Sequence, residues 1–298
     1  MKFSIAQETR LGHRSNNEDR LAYSHLGDEV LMMVVADGMG GHADGQVAAQ
    51  YVVQVLTEAF SRYAKSRIED PFLFFHTYIQ YAHELILRHV ETYKMEDAPR
   101  TTVVACLVQD NIAYWAHAGD SRLYVLRGGK IYAQTRDHSV VRQLLDSGAI
   151  TSVQLATHPD HNKVYNCLGG KIAPNIEFSR KTTLQAKDTI ILCSDGFWVH
   201  MSDPYFVKRL SEHPPPDVLP HLVDEAVRRN GRGGDNTSAI VARWADNYTE
   251  LADSMQASMG SVQSQFLSSK NPSKKPLTDE EIDQAISDIR KSINKPSS

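Results

Sequence analysis

Apolar residues fall in two rhythms along this chain. Short runs rich in Val, Ile and Leu read as strands: FSIAQET and EVLMMVVAD early, TTVVACLVQ, NIAYWAHAGD and RLYVLRGGKIYAQT in the middle, TIILCSD and TSAIVARW late. Turn-forming pairs at Asp110–Asn111 and Gly128–Gly129 interrupt the middle runs, and gaps this short predict antiparallel hairpins. A helical rhythm covers Gly45 to Tyr63, where Ala48, Val52, Val55, Leu56, Ala59 and Phe60 make one stripe. A second covers about Pro71 to Tyr93, with Asp70 placed to cap it and Pro71 at its first position. Its many aromatic residues are expected to pack against a sheet. Shorter helices are expected in HSVVRQLLDSG and from Asp217 to Arg229.

Strands and helices come in blocks rather than in strict alternation. That predicts an α+β layered domain over residues 1–244. Residues 245–277 turn polar and rich in Ser and Gln, the composition of a linker. Residues 278–294 recover a helical pattern. Thr278 and Glu281 form a capping box, and Ile282, Ala285, Ile286, Ile289 and Ile293 share one face. A short helix is marginal alone in water, so this one is expected to dock on the domain or on a protein partner.

Composition narrows the function. With 298 residues, 41% of them hydrophobic, the chain can bury a full core. A formal net charge of -4 argues against nucleic acid as the main partner. The apolar runs are too short to cross a bilayer, and the N-terminus lacks the apolar stretch of a signal peptide. Cys106, Cys167 and Cys193 form no ligand-like cluster, which suits reduced thiols in a cytoplasmic protein without a zinc–thiolate site.

Candidate chemistry sits at the strand ends. RSNNEDR supplies Arg14, Asn17, Glu18 and Asp19; VVADGMGG supplies Asp37 and Gly38. HAGDSRLY supplies Asp120, ILCSDGFW supplies Asp195, and RGGDNTSAIV supplies Asp235. Each acid borders an apolar run. Taken singly, each reads as a turn residue. Brought together, they repel one another and call for hard divalent cations, for which all-oxygen ligands favour Mg2+ or Mn2+ over zinc. Such ions suit phosphoryl transfer to water, and Arg14 is placed to fork a phosphate. Arg10, Arg20, Arg100, Arg122 and Arg136 are further candidates whose ordinary reading is solvent exposure.

In order along the chain, R-x-x-N-E-D, V-V-A-D-G-M-G-G-H, T-T-V-V, A-G-D-S-R-x-Y, D-H-S-x-V-x-x-L, C-S-D-G-F-W and G-G-x-D-N-x-S-A-I-V resemble the metal-dependent protein phosphatases of type 2C in their bacterial form, over about Phe3 to Trp244. The resemblance implies a four-layer α-β-β-α sandwich, two central antiparallel sheets flanked by helix pairs. It implies two core ions, Mn2+ or Mg2+, and a third as in bacterial relatives. Asp37 would bridge the core ions, and Asp195 and Asp235 would complete the first. The Gly38 carbonyl would reach the second, with Glu18 and Asp19 near it directly or through water. Asp120 with Asp195 would hold the third ion, and Arg14 the substrate phosphate. Residues 137–170 would form a flap shaping substrate choice, with His138, Ser139, His161 and Asn162 as its candidate substrate contacts.

The implied activity is hydrolysis of phosphoserine and phosphothreonine in proteins by a metal-activated water, opposing a bacterial eukaryotic-like Ser/Thr kinase. A monomer is the expected state. One departure concerns Met39: some family members, notably eukaryotic ones, carry a histidine there as general acid. That leaves the leaving-group acid unassigned, with a metal-bound water, His42 and His161 as alternatives, each histidine's ordinary reading being structural or exposed. A second is VYNCLGG, where an arginine-containing form is usual before Leu-Gly, and it bears on substrate preference. The rival readings are a catalytically inactive phosphoprotein-binding scaffold of the same fold and a phosphatase for another phosphoester.

Overall fold

The computed structural model describes residues 3–40, 45–63, 67–151, 154, 158–160 and 163–245. Three strands come first: β1 (Phe3–Arg10), β2 (Arg20–Leu26) and β3 (Val30–Ala36), then the two-residue β4 (Gly38–Met39). Helices α1 (Gly45–Tyr63) and α2 (Pro71–Tyr93) follow. Next come β5 (Arg100–Thr101), β6 (Val103–Gln109), β7 (Ile112–Ala118), β8 (Arg122–Arg127) and β9 (Lys130–Gln134). Helix α3 (Val140–Asp146) precedes β10 (Glu177–Phe178), β11 (Thr182–Thr183) and β12 (Thr189–Cys193). The chain continues through the single turn α4 (Asp195–Trp198), α5 (Asp203–Glu212) and α6 (Pro215–Asn230) into β13 (Thr237–Trp244).

The strands make two antiparallel sheets. One runs β1-β13-β12-β8-β9; the other runs β10-β7-β6-β3-β2, with β11 also on β7. Their facing sides bury one core, which includes Leu31, Met33, Val35, Cys106, Leu123, Leu192 and Ile240. Side chains alternate along a strand, so Ile191, Cys193 and Val241 point to the opposite face of the first sheet. There they pack with Phe206, Leu219 and Val223 from α5 and α6. Helices α1 and α2 pack together, α1 over β2 and β3 and α2 over β7. Both faces of each sheet are thus covered, as the α-β-β-α expectation requires. That coverage is why the inner strands read as continuous apolar runs rather than alternating ones.

Local signals act where the sequence placed them. Asp70 accepts hydrogen bonds from the Phe72 and Leu73 N–H groups at 3.0 and 3.1 Å, starting α2. The Asp110–Asn111 turn holds both residues at positive φ, 54° and 58°, the backbone of a tight hairpin between β6 and β7. Several elements escape the sequence reading. Strand β2 is only partly buried on either face. Strands β10 and β11 are two residues each. Helix α5 buries only Phe206, Val207 and Leu210. The linker and terminal helix expected at 245–277 and 278–294 lie outside the described residues after Ala245, as do His42, His161 and Asn162.

Candidate metal centre

Antiparallel register carries scattered acids to one edge of the sandwich. Asp37 follows the last residue of β3, and Ala36 pairs with Arg20 at the start of β2, just after Asp19. Val35 pairs with Val104 near the start of β6, and Val103 pairs with Ala118 at the end of β7, two residues before Asp120. In the other sheet Cys193, two residues before Asp195, pairs with Arg122 at the start of β8 and with Ala239 near the start of β13. Asp235 lies two residues before β13. A strand end beside a strand start, repeated across both sheets, gathers all five aspartates.

They meet in a cleft of about 520 Å³ whose walls include Arg14, Glu18, Asp37, Gly38, Asp120, Asp195 and Asp235. Asp19 is 4% exposed beneath it. Burial pushes the Asp37 carboxyl well above its ordinary value, and Asp19, Asp195, Asp120 and Asp235 push it further. Burial, then Asp195 and Asp137, raise Asp120. Burial, then Asp235, raise Asp195 to about 6. Burial raises Asp19 to about 7 against the hydrogen bonds of Ser238 and Ser194. Among the described residues Arg14 is the cation paired with this cluster, through Asp235, so acids that oppose one another's ionisation outnumber the positive charge beside them.

The donor set fits divalent cations. Asp195 Oδ1 is buried with no hydrogen-bond partner, a carboxylate oxygen available to a ligand. The cradle at Gly38 is equally tight: a Cβ there would lie 2.4 Å from the Gly45 carbonyl oxygen and 2.7 Å from that of Glu18. The backbones at Gly38, Gly45 and Glu18 therefore approach one another as only glycine at position 38 permits. Asp37, Asp120, Asp195, Asp235, Glu18 and the Gly38 carbonyl would hold the ions, and all are oxygen donors.

Supporting contacts fix these groups. The Asp37 N–H donates to Thr102 Oγ1 at 3.0 Å, and Thr101 Oγ1 and the Thr102 N–H both donate to the Asp37 carbonyl, each at 2.9 Å. Ser194 Oγ donates to Asp19 Oδ2 at 2.8 Å. Asn236 is 5% exposed. It accepts from the Glu18 N–H at 2.8 Å and donates to the Leu11 and Asn16 carbonyls, pinning the loop before β2. Asn236 stands out in the sequence beside Asp235, but Thr102 and Ser194 do not, because a neutral side chain signals a site only through what it touches.

Arg14 Nη2 donates to Asp235 Oδ2 at 2.7 Å at the exposed mouth of the cleft. The other arginines separate. Arg122 is neither exposed nor in the cleft. It is buried, forks Asp137 at 2.6 and 2.8 Å, and lies 3.3 Å over the Trp198 ring. Arg20 bonds the Asn17 and Asp19 carbonyls, Arg10 pairs with Glu8 and Asp224, and Arg136 with Asp146. Val164 of the expected flap and Met39 line the cleft. His138 and Ser139, expected as substrate contacts, are buried, 5% and 1% exposed, and Ser139 caps α3 through the Arg142 N–H. Their polar atoms are spent on the fold.

Comparison with known proteins agrees with this geometry. The family model of protein phosphatase 2C matches residues 7–224. The chain is 31% identical over 234 residues to the serine/threonine protein phosphatase PstP of Mycobacterium tuberculosis, covering 78% of this chain and 43% of that one. It thus spans less than half of that relative's length. It is 32% identical over 186 residues to the serine/threonine phosphatase stp of Listeria welshimeri, covering 61% of this chain and 73% of that one. Among solved structures, the catalytic domain of PstP in complex with two manganese ions superposes with a TM-score of 0.69 at 30% identity, covering 82% of this chain and 99% of that one. The family match over most of the chain agrees with an acid cluster built at one sandwich edge: the chain belongs to the protein phosphatase 2C family.

Proposed function

We propose that this protein hydrolyses phosphoserine and phosphothreonine in proteins at a centre of two divalent ions, Mn2+ or Mg2+, with a third ion beside them. The observation that carries this reading is the convergence of Asp19, Asp37, Asp120, Asp195 and Asp235 with no positive counter-charge of matching number. When bound, the ions supply Lewis-acid activation of water and neutralise charge on the phosphoryl oxygens. Asp37, Asp195 and Asp235 would hold one core ion; Asp37, the Gly38 carbonyl, Glu18 and Asp19 would hold the other; and Asp120 with Asp195 would hold a third.

The chain's own residues do the rest. The strand ends hold the carboxylates in fixed positions, so little reorganisation is needed when charge develops. Arg14 presents a guanidinium at the mouth, where a phosphate monoester competes with Asp235 for it. Met39 lines the cleft and carries no titratable proton.

The wider assignment follows from the same reading. Residues 1–244 form the catalytic unit, with 137–170 as a flap beside the cleft. Residues 245–277 link it to a helix over 278–294 that docks on a protein partner. A Ser/Thr kinase supplies the phosphorylated substrates, and the enzyme works as a cytoplasmic monomer. Among the described residues no helix is long and apolar enough to cross a membrane. The deciding experiment measures Mn2+-dependent release of phosphate from phosphoserine and phosphothreonine peptides by the full chain and by D37A. Turnover by the wild type that D37A lacks, with an unchanged circular dichroism spectrum, is expected. Equal turnover by both would defeat the assignment.

A further inference from the structure

Among the described residues, one trio of metal-binding type outside the acid cleft has all its ligand atoms within 4.8 Å of one another: His117, His138 and Glu177. The two imidazoles stack at 4.6 Å with a 15° tilt. His117 looks available to a cation: its Nε2–H donates to the Arg136 carbonyl at 2.9 Å, and its Nδ1 is buried without a partner. His138 does not. Its Nδ1 receives two donors, the Gly119 N–H at 3.2 Å and Asn166 Nδ2–H at 2.7 Å. The Asn166 amide cannot turn its oxygen inward, because Oδ1 already accepts from the Asn175 N–H at 2.9 Å. The ring proton of His138 therefore sits on Nε2 and is donated to Glu177 Oε2 at 3.2 Å. A protonated nitrogen has no lone pair for a metal, so the trio is not a metal site; His138 alone relays hydrogen bonds, from Glu177 and Asn166 to Gly119.

The relay ends on the metal centre. The His138 N–H donates to the Gly119 carbonyl at 2.9 Å while the Gly119 N–H donates to His138 Nδ1. One residue thus grips both polar groups of Gly119, which directly precedes Asp120. Gly119 holds φ at +119°, and a Cβ there would lie 2.6 Å from the Thr102 side chain. Only glycine takes that conformation readily, so the approach of this turn to Thr102 depends on Gly119 having no side chain. On its other side, the His138 carbonyl accepts from the Tyr165 N–H at 3.0 Å.

We infer that His138 is the positioning residue for Asp120: its neutral imidazole, held by Asn166 and Glu177, locks the Gly119 peptide and thereby aims the Asp120 carboxylate into the acid cluster. The inference rests on the proposed metal centre, in which the third ion would have only Asp120 and Asp195, the fewest protein ligands of the three, and so the weakest hold. It ties the base of the 137–170 segment to that ion rather than to substrate.

Two isosteric substitutions separate this role from a packing role. Asparagine places Oδ1 near the Nδ1 position and keeps an acceptor for Gly119. Glutamine places its amide near Nε2 and keeps only the Glu177 contact. Mn2+ binding to the full-length chain is measured by titration calorimetry and by electron paramagnetic resonance of free Mn2+ for wild type, D120A, H138N and H138Q, with circular dichroism as the check on folding. H138Q is expected to weaken the weakest Mn2+ site about tenfold, as loss of an outer-shell partner does, and D120A to abolish it. H138N is expected to restore binding to near the wild-type curve. Equal Mn2+ curves for H138Q and wild type, equal losses in H138N and H138Q, or no third Mn2+ in the wild type would each overturn the inference. The proposed activity is read separately, from phosphopeptide turnover by the wild type.

Discussion

Stripped of divalent ions, this protein is expected to lose stability as the pH rises from 5 to 8, the reverse of a protein held by carboxylate ion pairs. Asp19 carries the argument. Its folded carboxyl titrates at about 7 because burial penalises the charge. Unfolded, it titrates at its ordinary value of 3.8. Between those values the folded state binds a proton that the unfolded state has released. Stability therefore falls as pH climbs, and the contribution is gone above the folded value. At about 1.4 kcal/mol per pH unit, Asp19 alone contributes about 3 kcal/mol at pH 5 that is absent at pH 8. Asp195, raised to about 6, has the same sign over a narrower window.

For a domain of this size about 3 kcal/mol corresponds to roughly 10 °C in melting temperature. The assay is a thermal melt in EDTA at pH 5 and pH 8, repeated with Mn2+. Mn2+ is expected to raise the melting temperature more at pH 8, because at pH 5 it must displace protons. D19N, neutral at both values, is expected to reduce the slope in EDTA, leaving the part carried by Asp37, Asp120 and Asp195. A melting temperature that stays flat or rises with pH in EDTA, or an equal Mn2+ effect at both pH values, would refute the account of the cleft as a set of uncompensated acids.

Three further outcomes follow from named contacts. R14A is expected to raise the KM for phosphopeptide about tenfold, the worth of a hydrogen bond to a charged group, while Mn2+ affinity changes little; steady-state kinetics at saturating Mn2+ read it. D137A leaves the buried Arg122 guanidinium unpaired beneath Trp198 and is expected to cost about 3–5 kcal/mol in urea unfolding. N236A releases the Glu18 N–H and the carbonyls of Leu11 and Asn16, and is expected to weaken Mn2+ binding by about tenfold or more in calorimetry while the chain still folds.

What could be read from the sequence follows from what each element depends on. The long helices carry their own instructions: Asp70 and Pro71 start α2, and an unbroken stripe sustains it. The inner strands, apolar on both faces, announce themselves by composition alone. Strand β2 does not, because RLAYSHL is half-covered on each side and keeps no clear alternation. Helix α5 hides for a similar reason, since it rests on three buried side chains. Charged residues with neighbours far along the chain were the hardest to place. Arg122 looked like any surface arginine, yet its partner Asp137 stands across a hairpin, and its ring partner Trp198 lies beyond β12.

The acid cluster lies between these cases. Its members were legible as residue types, because an aspartate after a buried strand is conspicuous. Their convergence was not, since spacings of 18 to 216 residues between Asp19, Asp37 and Asp235 say nothing about distance. Antiparallel pairing closes that gap. Once β3 pairs with β2 and β6, and β12 with β8 and β13, the end of each strand must lie beside the start of its neighbour. Each acid flanks such an end or start on the same edge, so the register that buries Leu31, Met33 and Ile190 also assembles the site. A one-residue slip in β12 would turn Ile190 and Leu192 out of the inter-sheet core. The same slip would carry Asp195 away from Asp37. Core packing and carboxylate geometry are therefore set by one constraint, and a substitution that loosens the β12–β13 register is expected to weaken Mn2+ binding before it unfolds the chain.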